Sequence, residues 1–238
     1  MTPGPTTAMV LAAGLGTRMR PLTNDRPKAL VEVDGRALLD RVLDRLVAAG
    51  VRRAVVNVHH FADLVEAHLA RRTDLEILIS DERGLILDSG GGILKARPLL
   101  GDNPIYLANI DSLWMDDGEP PLETLRRAWD PDQMDLLLLL VRRGHGIGFE
   151  GPPGFFMDPA GRLTHSAAPD VVTPFANVGF GIMKPQVIDG AGEGAFPIHP
   201  VWRRLQGEGR LFGAVMDAYW MHVGDPAARA AAENRIRG

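Results

Sequence analysis

Short apolar runs alternate with segments of helical periodicity along the first half of the chain. Within each run, apolar and β-branched residues follow one another, which is typical of strands buried on both faces of a parallel sheet. The pattern predicts strands at residues 8–12, 54–58, 75–80, 104–109 and 136–141. Alternation of such strands with helices indicates an α/β fold.

The clearest amphipathic segment lies between the first two predicted strands. Its apolar residues recur at spacings of three and four, opposite a face of Asp and Arg, and are Leu38, Leu39, Val42, Leu43, Leu46 and Val47. This spacing predicts a helix, for which Gly50 is a typical C-cap. Residues 61–72 and 93–100 are the next predicted helices, which right-handed crossovers place on the faces of the sheet.

The pattern changes at Gly144, where glycines and prolines interrupt it. Beyond this loop we expect strands at 155–157, 162–165, 175–183 and 219–223, and helices at 201–206 and 226–236, the last one capped by Asp225. We expect a single domain over 1–238, with a first half at about 8–143 and a second half at about 144–238. The predicted fold class is a Rossmann-like, mixed and mostly parallel sheet flanked by helices.

Charge and composition narrow the classes of partner. The formal net charge is −4, whereas a nucleic-acid-binding surface needs an excess of Lys and Arg, so we expect no nucleic-acid partner. The absence of cysteine excludes disulfides and thiolate metal sites. No stretch has the roughly 18 apolar residues of a membrane span. The chain is therefore expected to be cytoplasmic, without a membrane partner, and to act on a small molecule.

The strongest local signal is the segment MVLAAGLGTRMRPLT at residues 9–23, in which an apolar strand runs into a loop of small residues. Glycines at Gly14 and Gly16 let the backbone approach a ligand, and successive N–H groups in such a loop bind phosphate. Arg18 adds a permanent charge with forked donors. The segment matches neither the P-loop nor the G-x-G-x-x-G pattern. Alone, it is equally typical of a tight strand-to-helix turn.

A second motif resolves this ambiguity. LAAGLGTRMRPLT followed closely by RPKALVEVDGRALLD resembles the opening of the sugar-1-phosphate nucleotidyltransferases. Weaker similarity continues through DSGGGILKA, NVGFGIMKP and YWMHVGDPAARAAAE. The resemblance implies a glycosyltransferase-A-like nucleotidyltransferase fold, with nucleotide binding in the first half and sugar binding in the second. It also implies attack of a sugar-1-phosphate oxygen on the α-phosphorus of a nucleoside triphosphate, with loss of pyrophosphate.

The resemblance implies roles for individual residues. Arg18 is expected to bind the triphosphate and stabilise the departing pyrophosphate, and Lys28 to reach the α-phosphate or the sugar phosphate. The implied nucleotide-binding residues are Leu11, Ala12, Ala13, Gly14, Gly16, Thr17, Arg18, Asp81, Gly90 and Gly91, and either Asp81 or its neighbour Glu82 is expected to approach the base. The implied sugar-phosphate residues are Lys28, Asn109, Asn177 and Gly179. Glycines at 90–92 open the predicted helix containing Lys95, where a helix N-terminus suits an anionic or polar ligand.

The implied metal ligands are Asp111 and His222, with Mg²⁺ as the expected ion. Asp111 follows an apolar strand, at the edge of a parallel sheet where ligands collect. The sequence departs from the family pattern at two positions: Ile110 replaces a glycine, and His222 replaces an aspartate in WMHVGDP. Because imidazole prefers softer ions than Mg²⁺, this histidine leaves Mn²⁺, water-mediated binding or a phosphate contact open.

The substrates follow from a finer resemblance. LDSGGGI resembles LETGGGI of short family members that transfer uridylyl groups to N-acetylmuramate 1-phosphate. We therefore expect UTP and this sugar phosphate as substrates, in cell-wall sugar metabolism and peptidoglycan recycling, and a monomer or small homo-oligomer. Guanylyl, thymidylyl or cytidylyl transfer to mannose or glucose 1-phosphate is one alternative. A catalytically silent sugar-nucleotide sensor is another, and a nicotinamide-dependent oxidoreductase ranks below both.

Overall fold

The computed structural model describes residues 4–115, 118–149, 154–166, 168 and 170–238. The helices are α1 (Leu38–Ala48), α2 (Ala62–Leu69), α3 (Asp88–Leu100), α4 (Pro121–Ala128), α5 (His199–Gly207) and α6 (Pro226–Arg237). The strands are β1 (Thr7–Leu11), β2 (Glu32–Val33), β3 (Arg36–Ala37), β4 (Arg53–Val58), β5 (Glu76–Asp81), β6 (Ile105–Asn109), β7 (Ser112–Trp114), β8 (Leu136–Arg142), β9 (Gly146–Ile147), β10 (Gly154–Met157), β11 (Leu163–Ser166), β12 (Phe175–Met183), β13 (Leu211–Val215) and β14 (Trp220–His222).

A mixed sheet of nine strands forms the centre of the molecule. Its main path runs β11-β10-β12-β6-β1-β4-β5, and β8 pairs with both β12 and β13. Strands β1, β4, β5 and β6 are parallel, whereas β12 is antiparallel to β6. The predicted fold class is confirmed, and strands from both halves of the chain share this one sheet.

Helices cover both faces of the sheet because neighbouring residues of a strand point in opposite directions. On β1, Ala8 and Val10 pack into the core beneath α1, α2 and α4, whereas Met9 packs into the core beneath α3 and α5. The central strands are buried on both sides, which explains their continuous apolar runs. No helix among the described residues is long and apolar enough to cross a membrane.

A small second sheet lies beside the carboxyl ends of β1 and β6. Its strand order is β7-β14-β9, and its register pairs His222 with Ser112. Met221 and Val223 pack with Met19 and with Ala232 of α6 in a third, smaller core. Asp225 caps α6 as predicted, accepting a hydrogen bond from the Ala228 N–H. This sheet brings the WMHVGDP segment next to the residue that follows β6.

Several elements differ from the sequence-based expectation. Helix α3 begins at Asp88 rather than at 93, so the three glycines lie inside its first turns. Helix α4 was not predicted, because Pro120 and Pro121 resemble a turn although proline is well tolerated in the first helical turn. Strand β13 was missed as well, since its short run is broken by Gly213. The expected 219–223 strand is confirmed over Trp220–His222.

Candidate active site

The glycine-rich loop follows β1 directly and is fixed from two sides. Gly16 adopts a left-handed conformation with φ 63°, and a Cβ at this position would lie 3.0 Å from Lys28 Cβ and 3.1 Å from Thr23 Cγ2. The Thr23 hydroxyl donates a hydrogen bond of 2.8 Å to the Gly16 carbonyl. Both the backbone conformation and the close approach therefore require glycine here.

The loop presents backbone donors to solvent. In the part of the chain that the structure describes, the N–H groups of Gly14, Leu15 and Gly16 donate to no protein acceptor. Arg18 lies one short turn further on and lines the same cavity. Consecutive unused N–H groups beside an arginine are suited to bind phosphate oxygens.

Asn57 holds the start of this loop, a role that sequence reasoning missed. Its Oδ1 accepts hydrogen bonds from the Ala12 N–H at 2.6 Å and the Ala13 N–H at 3.2 Å. Its Nδ2 donates to Glu82 Oε1 at 2.7 Å, and Glu82 Oε2 accepts from the Leu87 N–H at 3.1 Å. The available signal was a single polar residue inside an apolar strand, because a buried side-chain amide needs several partners.

Lys28 and Asp111 form an ion pair at the mouth of the loop. Lys28 Nζ donates to Asp111 Oδ2 at 2.7 Å, and only 8% of Lys28 is exposed. Burial alone would raise the pKa of the Asp111 carboxyl, but the hydrogen bond from His222 and the charge of Lys28 hold this pKa well below its usual range. Asp111 is therefore ionised. Ile110, which replaces the family's glycine, packs into the core.

His222 contacts the same carboxylate oxygen. Its Nε2 lies 3.4 Å from Asp111 Oδ2, and its Nδ1 donates to the Gly148 carbonyl at 2.9 Å. Burial disfavours the charged ring, yet the hydrogen bond and charge of Asp111 outweigh burial and raise the pKa of His222. In this arrangement both ring nitrogens face acceptors, which favours the imidazolium form. A metal ligand needs the neutral ring instead.

Two cavities meet at Asp111. The first has a volume of about 610 Å³ and the second about 550 Å³, and Arg18, Asn109 and Asp111 line both. The first cavity includes the predicted residues Leu11, Ala13, Gly14, Gly16, Thr17, Arg18, Lys28, Asn109 and Asp111. The second includes the predicted residues Asn177, Gly179 and His222. Two adjacent cavities with cations and a carboxylate at their junction suit a reaction that joins two phosphorylated molecules.

Asn177 and Gly179 shape the second cavity through an irregularity in β12, whose pairing with β8 shifts between Asn177 and Gly181. Asn177 Oδ1 accepts a hydrogen bond from the Gly179 N–H at 2.9 Å. A Cβ at Gly179 would lie 2.7 Å from Asn109 Nδ2, so the glycine lets the Asn109 amide approach. The predicted sugar-phosphate residues Asn109, Asn177 and Gly179 thus lie together on one wall.

The structure places four of the residues predicted to bind the nucleotide outside the lining of the first cavity. Asp81 faces solvent and pairs with Arg83, because its neighbour Glu82 takes the position facing the cavity. Gly90 and Gly91 both donate their N–H groups to the Phe196 carbonyl, so neither offers a backbone donor to a ligand. Ala12 is buried, with its N–H bound to Asn57.

The close packing of α3 explains its glycines. A Cβ on Gly91 would lie 2.3 Å from the Gly194 carbonyl oxygen, and one on Gly92 would lie 2.8 Å from Glu82 Oε1. The glycine cluster therefore serves helix packing against the segment around Phe196 and the Asn57–Glu82 pair. From this helix it is Asp88 and Ser89 that line the first cavity.

Comparison with known proteins decides the family. Residues 8–148 match the model of the MobA-like NTP transferase domain. The chain belongs to this family. This nucleotidyltransferase is 49% identical over 240 residues to the N-acetylmuramate alpha-1-phosphate uridylyltransferase of Caulobacter vibrioides, covering 99% of each chain. It is 33% identical over 228 residues to the Neisseria meningitidis protein of the same name, covering 91% of this chain and 92% of that one.

Solved structures agree on the fold of the nucleotidyltransferase. The inositol-1-phosphate CTP transferase from T. maritima superimposes with a TM-score of 0.79 at 20% identity, covering 98% of this chain and 97% of that one. UDP-glucose pyrophosphorylase from Acinetobacter baumanii gives a TM-score of 0.81 at 15% identity, covering 97% and 93%. The class of enzyme predicted from the sequence, a sugar-1-phosphate nucleotidyltransferase, is confirmed.

Proposed function

We propose that the enzyme transfers the uridylyl group of UTP to N-acetylmuramate 1-phosphate and releases pyrophosphate. The observation that carries this proposal is the 49% identity to a protein of that activity, which extends over 99% of both chains and so includes both cavities. A sugar-phosphate oxygen forms a bond to the α-phosphorus, and the bond from that phosphorus to the oxygen bridging to the β-phosphate breaks. The similarity to this relative also supports a role in peptidoglycan recycling. The cytoplasmic location and the monomeric or small oligomeric state stay predictions.

Positioning and charge neutralisation supply the catalysis in this proposal. The N–H groups of Gly14 to Gly16 and the Arg18 guanidinium hold the triphosphate, so that negative charge on the departing pyrophosphate meets fixed donors. Lys28 lines the first cavity beside Asp111, which lines both cavities, and holds the α-phosphate or the sugar phosphate. Bringing two anions together requires such cations, and no side chain has to form a covalent intermediate.

Asp111 fits the expected Mg²⁺. Lys28 and His222 both contact its Oδ2, whereas its Oδ1 has no hydrogen-bond partner within the described ranges. Mg²⁺ in nucleotide enzymes is commonly held by one or two carboxylates together with substrate phosphates. The described residues contain no group of three acidic or histidine side chains that could form a complete cage. A bound ion would neutralise phosphate charge, and His222 would have to lose its proton to join Asp111 as a ligand.

Glu82 is the proposed acceptor for the base. It is a buried carboxylate, 1% exposed, that lines the first cavity and makes no salt bridge within the described part of the chain. A carboxylate accepts hydrogen bonds and donates none, so it suits a base with a ring N–H, as in uracil, thymine and guanine. Cytosine and adenine present an acceptor nitrogen at that position. This argument disfavours cytidylyl transfer and is compatible with UTP.

A substrate panel tests the proposed reaction. UTP, GTP, dTTP and CTP are each combined with N-acetylmuramate, N-acetylglucosamine, glucose and mannose 1-phosphates, and pyrophosphate release is measured with Mg²⁺ and with Mn²⁺. We expect the highest kcat/KM for UTP with N-acetylmuramate 1-phosphate. A different best pair would establish guanylyl, thymidylyl or cytidylyl transfer instead. Binding of a nucleotide sugar without turnover of any pair would establish the silent sensor.

The proposed contact of Glu82 with the base can be tested by substitution, with the preceding residue Asp81 as a control. Glu82→Gln replaces an acceptor oxygen by a donor amide of the same shape, so we expect KM for UTP to rise by about tenfold, the effect of one charge-assisted hydrogen bond. Asp81→Asn alters an exposed carboxylate next in sequence and should leave KM unchanged. Equal effects of the two substitutions, or none from Glu82→Gln, would contradict the assignment.

A further inference from the structure

One group of side chains lining the second cavity is aromatic and contains two histidines; we call this group the aromatic wall. Its members are Phe155, His165, His199 and Trp202, and they come from β10, β11 and α5. The His165 and His199 rings stack with centroids 5.5 Å apart and planes inclined by 29°. Trp202 meets both rings edge-on, at 5.6 Å from His165 and 4.9 Å from His199. The proposed mechanism uses none of these side chains.

This wall carries unused hydrogen-bonding capacity. His165 Nε2 and Trp202 Nε1 are two of the four buried side-chain atoms without a hydrogen-bond partner among the described residues. The His199 ring makes no hydrogen bond to the residues that the structure describes. Burying a polar atom without a partner is costly, so such an atom in a cavity wall needs a partner such as ordered water, an ion or a ligand.

The charges around the wall favour an anion. Asp111, at the junction with the first cavity, is the one acidic residue among the described residues lining the second cavity. Burial lowers the pKa of His165, as do the nearby His199 and Arg203. The pKa of His199 is lowered by burial and by Arg203, with Asp88 acting in the opposite direction. A bound carboxylate would relieve this unfavourable environment for a charged imidazole.

We propose that His165, His199 and Trp202 bind the lactyl carboxylate of the sugar and thereby select N-acetylmuramate 1-phosphate over hexosamine phosphates that lack this group. The inference rests on the proposed function. With the sugar phosphate placed at Arg18 and Asp111, which line both cavities, the aromatic wall is left to contact substituents of the sugar ring. N-acetylmuramate differs from N-acetylglucosamine by its lactyl ether alone, and that ether ends in a carboxylate. Imidazole and indole N–H groups are donors for such a carboxylate.

Three sugar phosphates separate the contributions to selectivity. They are N-acetylmuramate 1-phosphate, its lactyl amide, which is neutral and of the same shape, and N-acetylglucosamine 1-phosphate. The wild-type enzyme should prefer the acid to either analogue by at least about tenfold in kcat/KM, as expected for charge-assisted hydrogen bonds. Where an analogue is not turned over, its inhibition constant against the acid replaces kcat/KM.

Variants of the wall complete the test. In His199→Gln and His165→Gln the preference for the acid should fall to within about threefold, mainly through KM, while values for N-acetylglucosamine 1-phosphate change little. Trp202→Phe keeps the ring, removes the indole N–H and should act in the same direction. His60→Gln, a histidine outside the cavity, is the control.

The outcomes are distinct. An unchanged preference in all three variants, equal losses for acid and analogues, or no wild-type preference would overturn the inference. If N-acetylmuramate 1-phosphate is turned over in that case, the proposed function survives. If the acid is neither turned over nor bound by the wild-type enzyme, the proposed function fails and the inference fails with it.

Discussion

Lys28 Nζ lies 2.7 Å from Asp111 Oδ2, although 83 residues separate the two side chains along the chain. The contact joins the second motif of the opening sequence to the carboxyl end of β6, at the boundary between the two cavities. The hydrogen bond from His222 and the charge of the Lys28 ammonium hold the pKa of the Asp111 carboxyl low, so this carboxyl is ionised in the free enzyme. Entering phosphates and a divalent ion would then compete for partners that are already in place.

Removal of the Lys28 charge should impair turnover far more than folding. In Lys28→Ala we expect kcat to fall by about 10²–10³, the usual effect of losing one preorganised donor to transition-state charge. Pyrophosphate release under saturating substrates measures kcat, and circular dichroism checks the fold. Lys95→Ala, an exposed lysine on α3, serves as the control. Near-normal kcat in Lys28→Ala would refute its role at the phosphates.

Substitution of His222 tests the departure from the family's metal motif. In His222→Asp a second carboxylate replaces an imidazole beside Asp111, so we expect activity with Mg²⁺ to rise relative to activity with Mn²⁺. Initial rates over a range of each metal give the two apparent affinities. An unchanged metal profile would mean that position 222 makes no direct contact with the ion. His145→Asp, whose ring bonds the Asp217 carbonyl outside both cavities, is the control.

The sequence led to the glycine-rich loop and Lys28 through motifs that resemble the family's, and to Asp111 because it follows a buried strand. The structure brings these residues together around one cavity, and their roles at the phosphates stay predictions. The sequence did not predict the partner of the loop, since Asn57 is distant in sequence and lies in no motif. The structure shows its amide bonded to the Ala12 and Ala13 N–H groups. Hydrophobic patterning identifies strands but does not say which buried polar side chain faces which loop.

The glycine cluster of α3 shows a second limit. A glycine that faces a ligand and one that packs against backbone both require the absence of a Cβ, so sequence alone does not distinguish them. Gly90 and Gly91 pack against backbone, since both donate their N–H groups to the Phe196 carbonyl.

The adjacent residues Asp81 and Glu82 show the same limit. Successive side chains of an extended segment point to opposite sides, so the sequence indicates that one of the two carboxylates lies in the cavity but does not say which one.

Gly91→Ala should therefore destabilise the protein. The added methyl group would lie 2.3 Å from the Gly194 carbonyl oxygen, and forced backbone shifts of this kind cost about 1–3 kcal/mol. Urea unfolding at neutral pH measures the free energy change. Gly207→Ala is the matched control, because a methyl group at Gly207 would meet nothing within 4 Å and helical alanine is favoured over glycine. Equal stability of the two variants would contradict the packing role.

The histidine pair on the aromatic wall makes stability depend on pH. Burial lowers the pKa values of His165 and His199 in the folded state. The unfolded chain then binds more protons than the folded chain once pH falls below about 6.5, the ordinary value for histidine. Stability contributed by these two residues is present above that pH and is lost as pH falls from there through their lowered pKa values in the folded state. His222 acts in the opposite direction, because its pKa is raised.

Urea unfolding of the wild type and of the His165→Gln/His199→Gln double variant at pH 7.5 and pH 5.0 isolates this contribution. The free energy of unfolding should fall more between the two pH values for the wild type than for the variant, because glutamine does not titrate. His222 and the carboxylates are common to both proteins and cancel in the comparison. A variant that loses as much stability as the wild type, or more, would show that the two imidazoles take up protons equally in the folded and unfolded states.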